Sequence, residues 1–363
     1  MMPPMTTSSA TFTRSDLVVL LGSLAAAIAA GITRYVPSGN ILPFVFSALA
    51  VALLASVVGR SVEQLGDRFG PGATGVLQSA LGNLPELFIA LFALQAGLVG
   101  VVQAALIGSI LANLLLVMGL SFLVGGLKHG TQKLDSQRAK ESSILMLLSV
   151  AAMLVPSLAA LLHTPVEPHE QTFSVIVSVV LLLLFAVTLP ASLKRGATTP
   201  TPAAIEAEPP RWPLWLAIGL LVASAAAAAF VSDWFVTALE PAMKTMNISE
   251  AFAGLVIVAI AGNAVENVVG IQLAAANRAE YAFSVIINSP LQIALVLAPL
   301  LVILSSTLGL APLTLVFPPM LVASVAIAVL LATFITFDGE SNWMEGATLI
   351  GLYGVIATSF WWG

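Results

Sequence analysis

The sequence contains no cysteine and few charged residues, and both shortages limit what the protein can be. Without cysteine there are no disulfides and no thiolate metal site. Only 9% of the 363 residues are charged, whereas a soluble domain has about 25%. Because 59% of the residues are hydrophobic, the chain cannot cover a water-facing surface with polar groups. These shortages exclude an ordinary soluble domain and indicate an integral membrane protein.

Long apolar runs fill most of the chain. A run of about 20 residues can cross a bilayer as a helix, whereas a membrane barrel would show alternating segments of about ten residues. The first run is too long for the apolar core of a signal peptide, so we interpret it as a retained helix. Eleven runs are predicted to be transmembrane helices: 17–36, 41–59, 73–96, 100–125, 142–162, 172–193, 213–235, 251–276, 281–305, 313–335 and 343–362.

Lysine and arginine are distributed unevenly between the connections of these helices. With the N-terminus in the cytoplasm, eleven of them lie on the cytoplasmic side, and only Arg34 and Lys244 lie outside. This distribution follows the positive-inside rule and places the C-terminus outside. The compact loops and the lack of a targeting sequence suggest a prokaryotic plasma membrane. The longest polar connection, 194–212, is rich in proline, threonine and alanine and indicates a flexible cytoplasmic linker with a small acidic patch at Glu206 and Glu208.

Part of the chain repeats with an offset of 180 residues. The identities pair Gly82 with Gly262, Asn83 with Asn263, Glu86 with Glu266, Ser109 with Ser289 and Leu111 with Leu291. The two glutamates lie on the third and eighth predicted helices, so the two copies cross the membrane in opposite directions. Secondary transporters contain such inverted-topology repeats, and their binding site lies near the bilayer midplane where the repeats meet.

The predicted fold is therefore an all-α polytopic membrane protein with about eleven transmembrane helices. Two inverted-topology repeats of five helices each follow one peripheral N-terminal helix. The predicted regions are an N-terminal tail and peripheral helix (1–40), the first repeat (41–193), the cytoplasmic linker (194–212) and the second repeat (213–363).

Glu86 and Glu266 lie well inside apolar helices that contain no lysine or arginine. A charged side chain at the bilayer centre costs roughly 2.5–3.5 kcal/mol, so such a residue is taken as functional by default. Pro85, next to Glu86, cannot donate a backbone hydrogen bond and displaces the carbonyl four residues earlier. Together with Gly82 it predicts a local helix break that exposes carbonyl oxygens. In the second half Val265 replaces this proline, and we expect Pro290 on the next helix to free a carbonyl there.

Amide, hydroxyl and carboxylate oxygens accompany the two glutamates in both repeats. Such an all-oxygen set suits hard cations, and Ca²⁺ takes about 6–8 oxygen ligands. For the asparagines and serines, hydrogen bonding between packed helices is the alternative role. The predicted cation- and proton-binding residues are Glu86, Glu266, Asn83, Asn263, Gly82, Gly262, Ser109, Ser289, Asn113 and Gln292, and the predicted metal ligands among them are Glu86, Glu266, Asn83 and Asn263.

The two carboxyl groups predict competition between protons and a cation. Burial in a medium of low dielectric favours the neutral acid, whereas a bound divalent cation favours the ionised form. In a fold that opens to each side of the membrane in turn, this competition gives cation/proton antiport. We predict no enzyme activity, resident cofactor or nucleic-acid partner. The partners are the lipid bilayer, the transported cation and protons; the sequence leaves a homo-oligomer open.

Two stretches resemble the repeat signatures of the CAX-type cation/proton exchangers, within the calcium/cation antiporter superfamily. They read GNLPELFIALFAL…GSILANLLLVMG and GNAVEN…LQIALVLAP, and the resemblance covers roughly residues 50–305. It implies eleven helices, Ca²⁺ export against proton entry, and a central role for the glutamates at positions 86 and 266. The sequence departs from the family pattern at Asn267, where a histidine is usual, and at 288–290, where Asn-Ser-Pro replaces Gly-Ser-Ser.

Several alternatives stay open. An antiporter for Na⁺, K⁺ or Mn²⁺, or a Na⁺/Ca²⁺ exchanger, would use a similar site, although Na⁺/Ca²⁺ exchangers usually carry more acidic residues. A cation channel would need a continuous pore. An intramembrane protease would ordinarily use two aspartates and would need no repeated Gly-Asn pair.

Overall fold

The computed structural model describes residues 11–69, 81–134, 136–198 and 210–362. Within these ranges, the side chains at positions 67, 69, 136–139, 189–198 and 265–267 fall outside the description. The described residues are mostly helical. In chain order the helices are α1 (Arg14–Tyr35), α2 (Ile41–Phe69), α3 (Leu84–Gln95), α4 (Val99–His129), α5 (Ser136–Leu161), α6 (Glu170–Thr198), α7 (Leu214–Met246), α8 (Glu250–Gly262), α9 (Ala264–Ala275), α10 (Ala279–Thr307), α11 (Pro319–Thr336) and α12 (Trp343–Ser359).

Among the described residues, eight helices are long and apolar enough to cross a membrane. They are α1, α2, α4, α5, α6, α7, α10 and α11, and the shorter helices α3 and α8 are also apolar. The prediction of an all-α polytopic membrane protein is confirmed at this level. The prediction of one helix over 251–276 is wrong, because α8 ends at Gly262 and α9 begins at Ala264.

Helices α3 and α9 begin at equivalent positions of the sequence repeat. The 180-residue offset that pairs the two glutamates also pairs the first residues of α3 and α9, Leu84 and Ala264. Their caps have similar dihedral angles: φ −95° and ψ 19° at Asn83, and φ −88° and ψ 23° at Asn263. Both helices contain twelve residues. The local backbone therefore follows the sequence repeat closely.

Helices α4 and α8 cross with their backbones in close contact. Gly108 of α4 lies against the backbone of Leu255, and Gly254 of α8 lies against the backbone of Val101, so neither position has room for a side chain. Both helices contain a π-helical stretch, at Ala112–Val117 in α4 and Ala253–Val258 in α8, and α10 contains a third at Ile293–Leu297. Such π-helical turns are often found at functional sites.

Residues 308–318, called here the extended segment, lie between α10 and α11. The predicted helix over 313–335 begins only at Pro319, since a proline disfavours the helical conformation in the residue before it. Alternate side chains of the segment, at Leu313, Leu315 and Phe317, are buried. This pattern of period two is typical of extended chain.

Side chains of three helices bond the backbone of the extended segment. Ser157 Oγ donates to the carbonyl of Leu315 at 2.8 Å and accepts from the amide of Phe317 at 2.9 Å. Ser174 Oγ accepts from the amide of Leu315 at 3.0 Å, and Gln103 Nε2 donates to the carbonyl of Val316 at 2.8 Å. Buried non-helical backbone needs such partners because no water or lipid group can replace them.

A two-stranded sheet joins the two halves of the chain. Strand β1 (Gln132–Lys133) pairs antiparallel with β2 (Glu340–Ser341). Nearby, α4 extends four residues beyond the predicted boundary at 125 and ends at His129. One ring nitrogen of His129 lies 3.0 Å from the carbonyl oxygen of Ala275. The loops after α4 and α11 and the end of α9 therefore meet on one face of the protein.

The end of the linker contacts α2. Helix α6 extends to Thr198, five residues beyond the predicted boundary, and residues 199–209, with Glu206 and Glu208, lie outside the described residues. The amides of Arg211 and Trp212 both donate to Gln64 Oε1 of α2, at 2.8 and 3.0 Å. The linker end is thus fixed to α2 just before α7 begins.

A buried aspartate joins this contact. Asp16 of α1 is 2% exposed, and its carboxylate lies 2.6 Å from Arg60 of α2 and 3.9 Å from Arg211. The ion pair ties α1, α2 and the linker end together at one end of the helices.

Candidate cation-binding site

The first helix break places Glu86 in the first turn of α3. Residues 82 and 83 form a turn, α3 begins at Leu84, and Pro85 is its second residue. The predicted break in the first repeat is therefore confirmed. Glu86 is 9% exposed. A helix N-terminus carries a partial positive charge, which stabilises an ionised carboxylate in its first turn.

The second break is equivalent, although it has no proline. Glu266 is the third residue of α9, as Glu86 is the third residue of α3. The side chain of Glu266, with those of Val265 and Asn267, lies outside the described residues. Pro290, from which a freed carbonyl was expected, lies inside α10 without ending it.

Glu86 packs directly on the second break. A Cβ atom placed on Gly262 would lie 2.7 Å from Glu86 Cγ and 3.0 Å from both Cδ and Oε1. Only a residue without a side chain fits here, so the glycine lets the carboxylate of the first repeat lie on the backbone of the second. The sequence marked Gly262 as a site residue, but its contact with the opposite repeat depends on the tertiary structure.

Four polar side chains form a buried network behind this contact. Asn263, which is 0% exposed, accepts at Oδ1 from Asn113 Nδ2 at 2.8 Å and from Ser289 Oγ at 3.1 Å. Asn263 Nδ2 donates to Ser109 Oγ at 2.8 Å and to the carbonyl of Ala259, also at 2.8 Å. All the hydrogen-bonding groups of this amide are therefore used within the protein.

Asn113 lies at the centre of the network and is also 0% exposed. Its Nδ2 lies 2.9 Å from the carbonyl oxygen of Ser109 and 3.1 Å from Ser289 Oγ. Within the described residues, its Oδ1 accepts no hydrogen bond. The structure thus brings together Asn113, Asn263, Ser109 and Ser289, four of the predicted site residues.

The other predicted pair lies at the first break. Asn83 Nδ2 donates to Gln292 Oε1 of α10 at 3.1 Å. Both residues are partly exposed, in contrast to the buried network. The two asparagines of the repeated motif therefore have equivalent backbones but different surroundings.

A small pocket is lined by Glu86. Its polar lining residues are Glu86 and Ser109, while α3 and α4 supply most of the apolar lining. Val258 and Leu297, from the π-helical stretches of α8 and α10, complete it. Val258 and Leu297 could not be recognised from the sequence, since they are ordinary apolar residues of apolar helices.

Among the described side chains, no group of three histidines, aspartates and glutamates could hold a metal ion. Gln103, which is buried on α4, bonds the extended segment rather than the site.

A family model described as sodium/calcium exchanger protein matches residues 39–194 and 216–362. The chain belongs to this family. The matched ranges include neither α1 nor residues 195–215, which contain most of the linker.

Curated relatives are similar over nearly their whole length. A Ca²⁺/H⁺ antiporter of Aphanothece halophytica is 35% identical over 335 residues, which cover 87% of this chain and 89% of the relative. The Ca²⁺/H⁺ antiporter ChaA of Bacillus subtilis is 38% identical over 323 residues, covering 87% and 91%.

Solved structures have the same fold. The structure of native YfkE superposes with a TM-score of 0.79 at 33% identity, covering 95% of this chain and 98% of the other. The H⁺/Ca²⁺ exchanger CAX superposes with a TM-score of 0.71, but at 19% identity it supports the fold alone. The resemblance to the CAX-type exchangers is confirmed.

Proposed function

We propose that this exchanger-family protein is a secondary antiporter that exports Ca²⁺ in exchange for H⁺. The observation that carries the proposal is the buried Glu86 carboxylate, which lies on the helix break of the second repeat and lines a pocket. Relatives 35% and 38% identical over most of their length are named Ca²⁺/H⁺ antiporters, which supports this choice of ions.

Glu86 and Glu266 are the proposed groups that exchange protons for the cation. Gly262 contacts Glu86 and lies four residues before Glu266, so the backbone of position 266 belongs to the same part of the protein. A cation favours both groups ionised, while low dielectric favours both protonated. Protons and a divalent cation therefore displace each other at a shared site.

The proposed ligands divide into two sets. Glu86, Glu266, Asn83 and Gln292 supply oxygens to the cation, together with backbone carbonyls at the breaks near Gly82 and Gly262. The second set, Asn263, Asn113, Ser109 and Ser289, holds the framework through its mutual hydrogen bonds. This division follows from exposure: Asn83 is partly exposed, whereas Asn263 is fully buried and fully bonded.

Alternating access would use the two repeats as two bodies. We assign eleven transmembrane segments, with residues 41–193 and 213–363 as inverted repeats and α1 outside them. The matching starts of α3 and α9, together with the odd number of crossings between the two glutamates, support this assignment. The excess of lysine and arginine in one set of loops supports a cytoplasmic N-terminus and an outer C-terminus. A prokaryotic plasma membrane is the proposed location.

The test uses proteoliposomes with an imposed pH gradient and a luminal pH dye. Ca²⁺, Mn²⁺, Na⁺ and K⁺ are added in turn to wild type, Glu86→Gln and Glu266→Gln. Dissipation of the gradient by Ca²⁺ in wild type, and in neither variant, is the expected result. The departure at Asn267 removes a titratable group from the family pattern, so the panel includes cations other than Ca²⁺. Dissipation by one of these cations instead of Ca²⁺ would identify it as the substrate.

A matched control uses a glutamate far from the site. Glu240 is exposed and pairs with Lys244 at 2.6 Å, so Glu240→Gln should exchange like wild type. If no cation moves protons through wild type, the antiporter proposal is wrong. Cation conductance without proton movement would identify a channel instead.

A further inference from the structure

The two helix breaks have the same backbone but are produced by different means. In the first repeat Pro85, the second residue of α3, removes a backbone donor and displaces a carbonyl four residues earlier. In the second repeat Val265 occupies the equivalent position. Valine has no such effect, and a continuous helix would satisfy more backbone groups. The second break therefore needs a stabilising interaction that takes the place of the proline.

The Asn263 side chain supplies the local part of that interaction. Its Nδ2 donates at 2.8 Å to the carbonyl of Ala259, which also accepts from the Asn263 amide at 3.1 Å. Side chains that bond a nearby backbone carbonyl compete with regular helix geometry. This bond alone could be lost by rotation of the side chain, so its orientation must be fixed.

Asn113 fixes that orientation from the opposite repeat. Its Nδ2 donates to Asn263 Oδ1 at 2.8 Å, while Ser109 Oγ accepts from the other end of the same amide. With the 180-residue offset Asn113 falls on Ile293. At the first break, Asn83 is bonded instead by the neighbouring Gln292, and both of those residues are partly exposed. The fully buried amide network thus accompanies the break that lacks a proline.

We propose that Asn113 is a positioning residue that maintains the second helix break through Asn263, the role that Pro85 has in the first repeat. It orients the first turn of α9, and hence Glu266, without binding the cation. The expected effect on Ca²⁺/H⁺ exchange rests on the proposed antiport, but the expected effect on the backbone at 259–267 does not. If the proposal is right, a proline at position 265 makes Asn113 dispensable.

The experiment compares Asn113→Leu, Val265→Pro and the double variant. Leucine has the branched shape of asparagine, although it is larger, and its side chain makes no hydrogen bond, so Ca²⁺/H⁺ exchange should fall roughly tenfold or more. The double variant should recover exchange to within about twofold of Val265→Pro alone. Recovery separates positioning from ligation, because a proline cannot replace a lost ligand oxygen.

Gln103 provides the matched control. It is a buried amide on the same helix, but it bonds the extended segment. Gln103→Leu should have the same rate of Ca²⁺/H⁺ exchange with and without Val265→Pro. If Val265→Pro restored Ca²⁺/H⁺ exchange equally in Asn113→Leu and in Gln103→Leu, the proline would be a general stabiliser and the proposal would be overturned.

Hydrogen–deuterium exchange of the peptide over 259–267 gives a readout without transport. In Asn113→Leu the amides at the start of α9 should gain helical partners and exchange more slowly, and Val265→Pro should restore the wild-type rate. Unchanged amide exchange in Asn113→Leu, or no restoration in the double variant, overturns the proposal. The amide-exchange results do not depend on transport. A wild type that moves no cation would therefore refute the proposed antiport but not the role of Asn113.

A second disruption covers the case in which Asn113→Leu does not fold. The double variant Ser109→Ala/Ser289→Ala removes two other bonds to Asn263 and is tested in the same way. Rescue of amide exchange by Val265→Pro supports the proposal, and failure of rescue in folded protein contradicts it.

Discussion

Gly262→Ala tests how closely the second break packs on Glu86. The added Cβ would lie 2.7 Å from Glu86 Cγ, whereas carbon atoms in contact are normally about 3.5–4.0 Å apart. Both residues are buried, so the overlap can be relieved only by moving the carboxylate or the helix. Overpacking of this kind costs about 1–3 kcal/mol. If that cost falls on the cation-bound state, the apparent affinity decreases about 5- to 150-fold.

The assay is the Ca²⁺ concentration that gives half-maximal dissipation of a pH gradient in proteoliposomes. Gly219→Ala is the matched control, since a Cβ at that position meets nothing within 4 Å. The control should retain the wild-type half-saturation, while Gly262→Ala should require more Ca²⁺. A Gly262→Ala protein that is monodisperse and has wild-type half-saturation would refute the packing argument.

Three further changes test the framework around the site. In Gly254→Ala the added Cβ meets the backbone of α4, which cannot move aside, so we expect loss of the monodisperse peak in size-exclusion chromatography, whereas Gly219→Ala should elute like wild type. Ser157→Ala removes the partner of two backbone groups of the extended segment and should lower the free energy of unfolding by about 1–3 kcal/mol; an unchanged melting temperature would contradict this. Asp16→Asn removes the charged partner of Arg60 and should destabilise the protein by about 1.5–3 kcal/mol, with part of the loss recovered by adding Arg60→Gln.

The helical architecture could be predicted because the bilayer restricts the choices. Runs of about 20 apolar residues have few structures available in lipid, and helices satisfy their own backbone. The extended segment was missed because its sequence is as apolar as a helix, and its backbone partners Ser157 and Ser174 are more than 100 residues away. The pairing of β1 with β2 was missed because two-residue strands give no periodic signal.

The candidate site was predictable from the cost of charge in the membrane, which made Glu86 and Glu266 stand out. Asn83 and Asn263 were both predicted to be metal ligands because each follows a glycine and precedes a glutamate by three residues. The structure separates them, since one is bonded to Gln292 and partly exposed while the other is enclosed by Asn113 and its neighbours. Sequence repetition determines the local backbone, but the surroundings of each copy depend on the other half of the chain.

The extended segment also sets an order of assembly. Gln103, Ser157 and Ser174 belong to helices that are synthesised well before residues 308–318, so these side chains enter the bilayer before their partners exist. The serines can bond carbonyls of their own helices meanwhile, and they must exchange these bonds when the later helices arrive. The first half of the chain therefore reaches its final packing only after translation of the second half.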